Sequence, residues 1–323
     1  MRVFSPSEFD AAREIVYAAM PPTPQFVWPL LSARAGAEVW VKHENHTPTG
    51  AFKVRGGLVH MRRRRERGLT RGVITATRGN HGQSIPFAAR REGIPATVVV
   101  PECNSAEKNA AMRALGAELI EIGSDFDAAK AEAERIARER GLDMVASFQP
   151  DLVVGVATYA HELFSSAGAL DAVYVPIGLG SGICGVIAVR DMLNLPTKVV
   201  GVVSDRANAY ALSFKAGRPV PTNSASTFAD GMAVRGPDPA AVDLINAGAD
   251  RIVEVAEDEV AEAMRLLYGT THNVAEGAGA AALAALMQER AVMKGKRVGV
   301  VLSGGNIDAG KFATVLQGGT PNP

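Results

Sequence analysis

Apolar residues recur along this chain in two rhythms. Near the start, Phe9, Ala12, Ile15, Val16 and Ala19 fall at helical spacing, so Phe4 to Met20 is expected to form an amphipathic helix capped by Ser5 or Ser7. The proline-rich stretch from Pro21 to Pro29 ends it, and Glu38 to Lys42 (EVWVK) alternates as a short strand does. From Gly72 onward, short β-branched runs alternate with helical segments. VITAT leads to a helix from about Gly82 to Glu92, ATVVVP to Ala106–Leu115, and AELIEI to Asp127–Arg140. MVASF and a helix near Val153 to Ala167 precede AVYVPI, a glycine loop, a helix reaching Met192, and KVVGVVS. Asp258 to Tyr268 and Gly277 to Met287 have helical spacing, RVGVVLSGG reads as one more buried strand, and the residues from Gly318 read as a loose tail. Strands this apolar, separated by helices, predict an α/β fold of parallel sheets covered on both faces. No internal repeat or low-complexity linker interrupts it.

Charge narrows the function. Lys plus Arg and Asp plus Glu each total 34, so the formal net charge is zero and there is no electrostatic case for nucleic acid or an anionic membrane surface. The one concentration of charge, Arg62 to Arg65 with Arg67, is read as a solvated helix face ending at Gly68; contact with a polyanion is the alternative. The N-terminal stretch MRVFSPSEFDAAREIV has no apolar signal core, and no stretch approaches the roughly 18 apolar residues of a membrane span. Cys103 and Cys184 are too few for a disulfide framework, and neither sits in a metal-like cluster. A cytoplasmic enzyme or binding protein acting on a small molecule is expected.

Four stretches carry chemistry. In His43 to Gly57 (HENHTPTGAFKVRGG), Thr47, Pro48, Thr49 and Gly50 supply turn and N-cap residues, which puts Lys53 on the first turn of a helix. There the positive end of the helix dipole favours its neutral, nucleophilic amine. Thr77, Arg78, Gly79, Asn80, His81 and Gly82 follow the strand VITAT and open a helix, where free N–H groups can hold a carboxylate; an ordinary strand-to-helix turn is the alternative. Gly178, Leu179, Gly180, Ser181 and Gly182 follow AVYVPI and can cradle a phosphate. Gly180, Gly182 and Gly185 also spell GxGxxG with Asp205 20 residues beyond, the spacing of a dinucleotide fingerprint. Ser303, at the end of VGVVL, points into the crevice of such a sheet or caps a helix.

Taken in this order, the stations resemble the fold-type II pyridoxal 5'-phosphate (PLP) enzymes, the serine/threonine dehydratase and serine racemase family. Ala51-Phe52-Lys53-Val54-Arg55-Gly56 is similar to the segment whose lysine binds PLP, with Phe52 beside it. The stretch from Thr77 resembles the family's Ser-x-Gly-Asn-His loop. That implies a substrate carboxylate at Thr77, Arg78, Gly79, Asn80 and His81, with Asn80 on the cofactor's 3′-oxygen. Gly178 to Gly182 stand where the family has its glycine-rich phosphate loop, and LSGGN is similar to the motif whose serine, here Ser303, bonds the pyridine nitrogen. Ala229-Asp230-Gly231 and Glu276 resemble pocket-lining segments, although Glu276 reads equally well as a helix-start carboxylate. Val203 and Ala209 fall at the two acidic positions of the family's divalent-cation site, so no metal is expected.

The resemblance implies a two-domain fold, tryptophan synthase β-like, with twisted, parallel-rich sheets. Residues 1–69 and 150–323 would form the large PLP-binding domain, and 70–149 a small domain closing over the substrate, in a homodimer. It implies β-elimination, the dehydration and deamination of a β-hydroxy amino acid to a 2-oxo acid and ammonia. L-Threonine or L-serine is the family's usual substrate. Arg78 stands where serine racemases place a second catalytic serine, and its fork can pair with a side-chain carboxylate, so 3-hydroxyaspartate is an alternative; phenylserine stays open too. The same replacement argues against racemisation. An NAD-binding oxidoreductase built on Gly180, Gly182, Gly185 and Asp205 is the reading from another class.

Overall fold

The structure, a computed structural model, describes residues 3–323. The chain runs α1 (Pro6–Tyr17), β1 (Gln25–Val27), α2 (Pro29–Ala35), β2 (Glu38–His43), α3 (Lys53–Glu66), β3 (Val73–Ala76), α4 (Asn80–Arg91) and β4 (Ala96–Val100). Then come α5 (Ala106–Ala114), β5 (Glu118–Glu121), α6 (Phe126–Arg140), β6 (Asp143–Met144), α7 (Pro150–Ala167), β7 (Ala172–Pro176), α8 (Ser181–Met192) and β8 (Lys198–Ser204). The remainder is α9 (Ala209–Ala216), α10 (Pro239–Gly248), β9 (Arg251–Val255), α11 (Glu257–Thr271), α12 (Gly277–Gln288), α13 (Arg290–Met293), β10 (Arg297–Leu302) and α14 (Ala309–Leu316).

Two sheets result. One has the order β1-β2-β10-β7-β8-β9 and the other β5-β4-β3-β6. Every pairing is parallel except β1 with β2. Strands buried on both faces need side chains that are apolar throughout, which is why β4, β7 and β10 read as unbroken rather than alternating runs. Helices cross between neighbouring parallel strands, so the loops that follow β3, β7 and β10 gather at the strands' carboxyl ends.

Several elements differ from the pattern-based expectation. The capping box between Ser5 and Glu8 starts the first helix as expected, but it closes at Tyr17. The proline-rich stretch is not merely a breaker: β1 lies inside it, and Pro29 occupies the first turn of α2, where a missing N–H costs nothing. MVASF yields only the end of the two-residue β6, and Val145 to Phe148 leave the sheet to wall a cavity. The C-terminus is tied down: Arg265 Nη1 donates to Gly319 O at 3.1 Å, and Thr320 bonds Asp258.

The arginine run is the largest correction. Arg62, Arg65 and Arg67 are exposed as a solvated face would be, but Arg63 and Arg64 are withdrawn from solvent, and the run forms an ion-pair seam. Arg62 Nε reaches Glu92 Oε1 at 2.9 Å, Arg63 Nη1 reaches Asp151 Oδ1 at 2.6 Å, and Arg64 pairs with Asp143. Each partner belongs to a neighbouring element, Glu92 just after α4, Asp151 on α7 and Asp143 on β6, because α3 is wrapped by other structure for most of its length. Its close packing depends on glycine. A Cβ on Gly56 would stand 2.7 Å from Leu152 O, and one on Gly57 would stand 2.3 Å from Ser84 Oγ.

Candidate functional site

The end of β10 organises the site. Its parallel register with β2 sets Leu302 beside His43. Beyond the strand, Ala51 bridges Gly304, Phe52 N donates to Ser303 O at 3.0 Å, Gly305 N donates to Gly50 O at 2.9 Å, and Glu276 N donates to Gly304 O at 3.1 Å. Two distant segments, residues 50–52 and Glu276, are thereby sewn to one strand end. Lys53 emerges there as the first residue of α3. The expected cap chemistry is only partly present. Gly50, at φ 68°, makes the turn, and Thr47 Oγ1 accepts from Ala51 N at 2.9 Å, but no side chain caps the helix itself.

Lys53 faces a cavity of about 740 Å³ that is also lined by Thr77, Arg78, Gly79, Asn80, His81, Leu179 and Glu276. Removal from water pushes the Lys53 ammonium down to about 8, and the nearby Glu276 carboxylate limits the fall. Desolvation is therefore the leading cause, beyond the helix dipole that the sequence suggested. Lys53 Nζ also stands 5.1 Å from the centre of the Phe52 ring. Burial raises Glu276 to about 7, against the pull of Lys108 and the hydrogen bond from Asn80 Nδ2 at 2.7 Å. Asn80 Oδ1 in turn accepts from Asn306 Nδ2 at 2.8 Å, and this fixes which way its amide points. His81 is held neutral, at about 3, by burial and by the Lys53 charge, and its buried Nε2 has no protein partner.

The glycine loop ends at α8, which starts on Gly180 in the left-handed region (φ 102°) and has no side-chain cap. A Cβ at Gly178 would strike Gly231 O at 2.3 Å, so this backbone passes its neighbour as only glycine allows. Tyr210 and Tyr159 hold the loop's carbonyls, at Leu179 O (3.0 Å) and Gly182 O (3.1 Å), which leaves the N–H edge of the helix start for an anion. Leu179 is the member of the loop that lines the cavity; Gly178, Gly180, Ser181 and Gly182 do not, nor do Phe52 and Ser303. Asp205 N donates to Val255 O, and Asp205 is not among the lining residues.

Two features escaped the sequence reading. Lys108 on α5 lines the cavity and donates to Asp230 Oδ2 at 2.6 Å; nothing in its polar helix start distinguished it. Behind Lys53, Arg55 is fully buried, bonding Glu44 Oε2 (2.7 Å) and Glu162 Oε1 (2.6 Å), while Lys42 Nζ reaches Glu162 Oε2 at 2.5 Å. Two cations thus balance two carboxylates, the four groups being drawn from three segments. The adjacent carboxylates hold Arg55 charged despite burial, and the cations keep Glu162 below the usual carboxylate range.

A buried lysine with a lowered pKa, an orphaned imidazole nitrogen and a bare helix N-terminus behind a glycine-rich loop suit a phosphorylated aldehyde cofactor joined to an amino acid. That defines a cofactor-dependent enzyme acting on amino acids. Residues 16–304 match the model of the family described as pyridoxal-phosphate dependent enzyme, and the chain belongs to that family. It is 36% identical over 291 residues to the L-threonine ammonia-lyase of Thermotoga maritima, covering 90% of this chain and 72% of that protein. It is 31% identical over 302 residues to the L-threo-3-hydroxyaspartate ammonia-lyase of Saccharomyces cerevisiae, covering 93% of each. Its fold matches the processed threonine deaminase isoform 2 of Solanum lycopersicum with a TM-score of 0.89 and 29% identity, over 98% of this chain and 94% of that one. The cofactor is pyridoxal phosphate, and the dinucleotide reading of the glycine loop falls away. Among the described residues, no helix is long and apolar enough to cross a membrane.

Proposed function

We propose that this chain removes water from a β-hydroxy-α-amino acid and releases a 2-oxo acid and ammonia, with threonine and serine as the basal substrates. The observation that carries this is Lys53: a lysine lowered to about 8 in a cavity facing both a carboxylate-binding loop and a phosphate-binding loop. Bound there, pyridoxal phosphate supplies an electron sink for the substrate's α-carbon. Lys53 Nζ holds the cofactor and then takes the α-proton, work for which a pKa near 8 is suited. The N–H groups at the start of α4, with Thr77 and Gly79, would hold the α-carboxylate; Asn80, steadied by Asn306 and Glu276, would bond the cofactor ring, and Ser303, at the end of β10, would serve its nitrogen. A neutral hydroxyl at that nitrogen leaves the ring a weaker sink than a carboxylate would, which favours rapid loss of the β-hydroxyl over amino-group transfer. Gly178 to Gly182 carry the phosphate.

In this reading residues 1–69 and 150–323 form one domain and 70–149 the other. That division is supported by the separate four-stranded sheet, and the enzyme works as a cytoplasmic homodimer. The test is visible absorbance of the purified protein, before and after borohydride, with threonine turnover followed as 2-oxo acid release. Lys53→Ala is expected to abolish both the borohydride-trapped cofactor and turnover. Turnover retained by that variant would overturn the assignment.

A further inference from the structure

The charges around the cavity do not pair evenly. Asp230 Oδ2 is engaged by Lys108 Nζ at 2.6 Å, whereas its Oδ1 lies 4.0 Å from Arg78 Nη2, beyond hydrogen-bond length. One carboxylate therefore serves two cations. Arg235, another cation of the lining, is spent on Asp127 and Asp125, Lys53 faces Glu276, and Lys130 is solvent-exposed on α6. That leaves Arg78, whose side chain is 42% exposed, without a hydrogen bond to any described residue. Its five N–H donors are left for a ligand.

Arg78 also sits one residue after Thr77 and two before Asn80, in the loop that seats the α-carboxylate. A single short stretch thus offers two anion seats: backbone N–H groups at the start of α4 and a guanidinium fork beside them. We propose that Arg78, backed by Lys108, selects β-hydroxy amino acids that carry a second carboxylate, of which 3-hydroxyaspartate is the simplest. This rests on the dehydratase reading above and narrows its substrate. Phe126, Met144 and Phe148 line the same cavity and make a bulky aryl side chain the competing choice.

The test compares wild type, Arg78→Gln and Arg78→Lys as holoenzymes. L-threo-3-hydroxyaspartate and threonine are assayed for kcat/KM, and succinate and butyrate, inert acids of equal chain length, are titrated by calorimetry. Losing a charge-assisted fork is expected to lower the ratio of hydroxyaspartate to threonine kcat/KM by about tenfold or more in Arg78→Gln. Arg78→Lys, which keeps the charge without the planar fork, falls between. Succinate binds wild type more tightly than butyrate does, and the difference disappears in Arg78→Gln. Equal losses for both amino acids, no preference for succinate, or a preference for phenylserine that Arg78→Gln leaves intact would each overturn the proposal. If the cofactor-loaded protein turns over neither amino acid, the dehydratase reading fails, and the succinate titration still decides what Arg78 binds.

Discussion

Replacing Arg55 with methionine isolates the energetics of the buried charge cluster. The guanidinium donates from Nε, Nη1 and Nη2 to Glu44, Glu162, Thr158 and Thr23, at distances from 2.6 to 3.2 Å, with no solvent exposure. Methionine fills much of the volume and leaves Lys42 alone against two carboxylates. Breaking a buried pair in this way costs about 3–5 kcal/mol, because a charge stays behind without compensation. With an unfolding entropy of about 2.1 cal/mol/K per residue, that corresponds to a drop of about 4–7 °C in Tm for a chain this long. Adding Glu44→Gln restores one cation to one carboxylate and should recover at least half the loss. Thermal melts of the holoenzymes check both points. A double variant no more stable than Arg55→Met, or a single variant costing under about 1 kcal/mol, would refute the charge-balance argument and leave Arg55 as packing.

Two further outcomes are expected. Gly178→Ala places a Cβ 2.3 Å from the backbone Gly231 O, so the glycine loop must shift, and cofactor affinity, read by equilibrium dialysis of pyridoxal phosphate, should fall well before thermal stability does. With Lys53 lowered to about 8, the rate at which the apo-protein captures the cofactor should rise with pH to a midpoint near 8; a midpoint near the ordinary 10.5 would show that burial does not tune this amine.

Much of the site was legible because its residues are consecutive. A lysine placed between a Thr-Pro-Thr-Gly turn and an apolar helical run announces its own position, and the loops after VITAT, AVYVPI and VGVVL lie at strand ends by the logic of parallel sheets. The buried cluster was illegible for the opposite reason. Lys42, Glu44, Arg55 and Glu162 come from three segments, and each alone looks like an ordinary surface charge. Residues 54 to 61 of α3 are all buried, so no polar stripe marked Arg55 as unusual. The arginine run misled because composition reports charge but not the acids waiting on α4, β6 and α7. The strand β1 was hidden by prolines at both ends, and β9 (RIVEV) by its alternating polar residues.

The two halves of α3 place the molecule's electrostatics under different jurisdictions. At 1 M salt the screening distance shrinks to about 3 Å, and partly exposed pairs such as Arg62 with Glu92 weaken while fully buried ones such as Arg55 with Glu44 do not. Brine therefore acts on the joint between α3 and its neighbours and not on the lysine-bearing end. An organism exporting its ions, or accumulating them, would adjust how firmly the four-stranded layer is fastened while leaving the chemistry of Lys53 as it was.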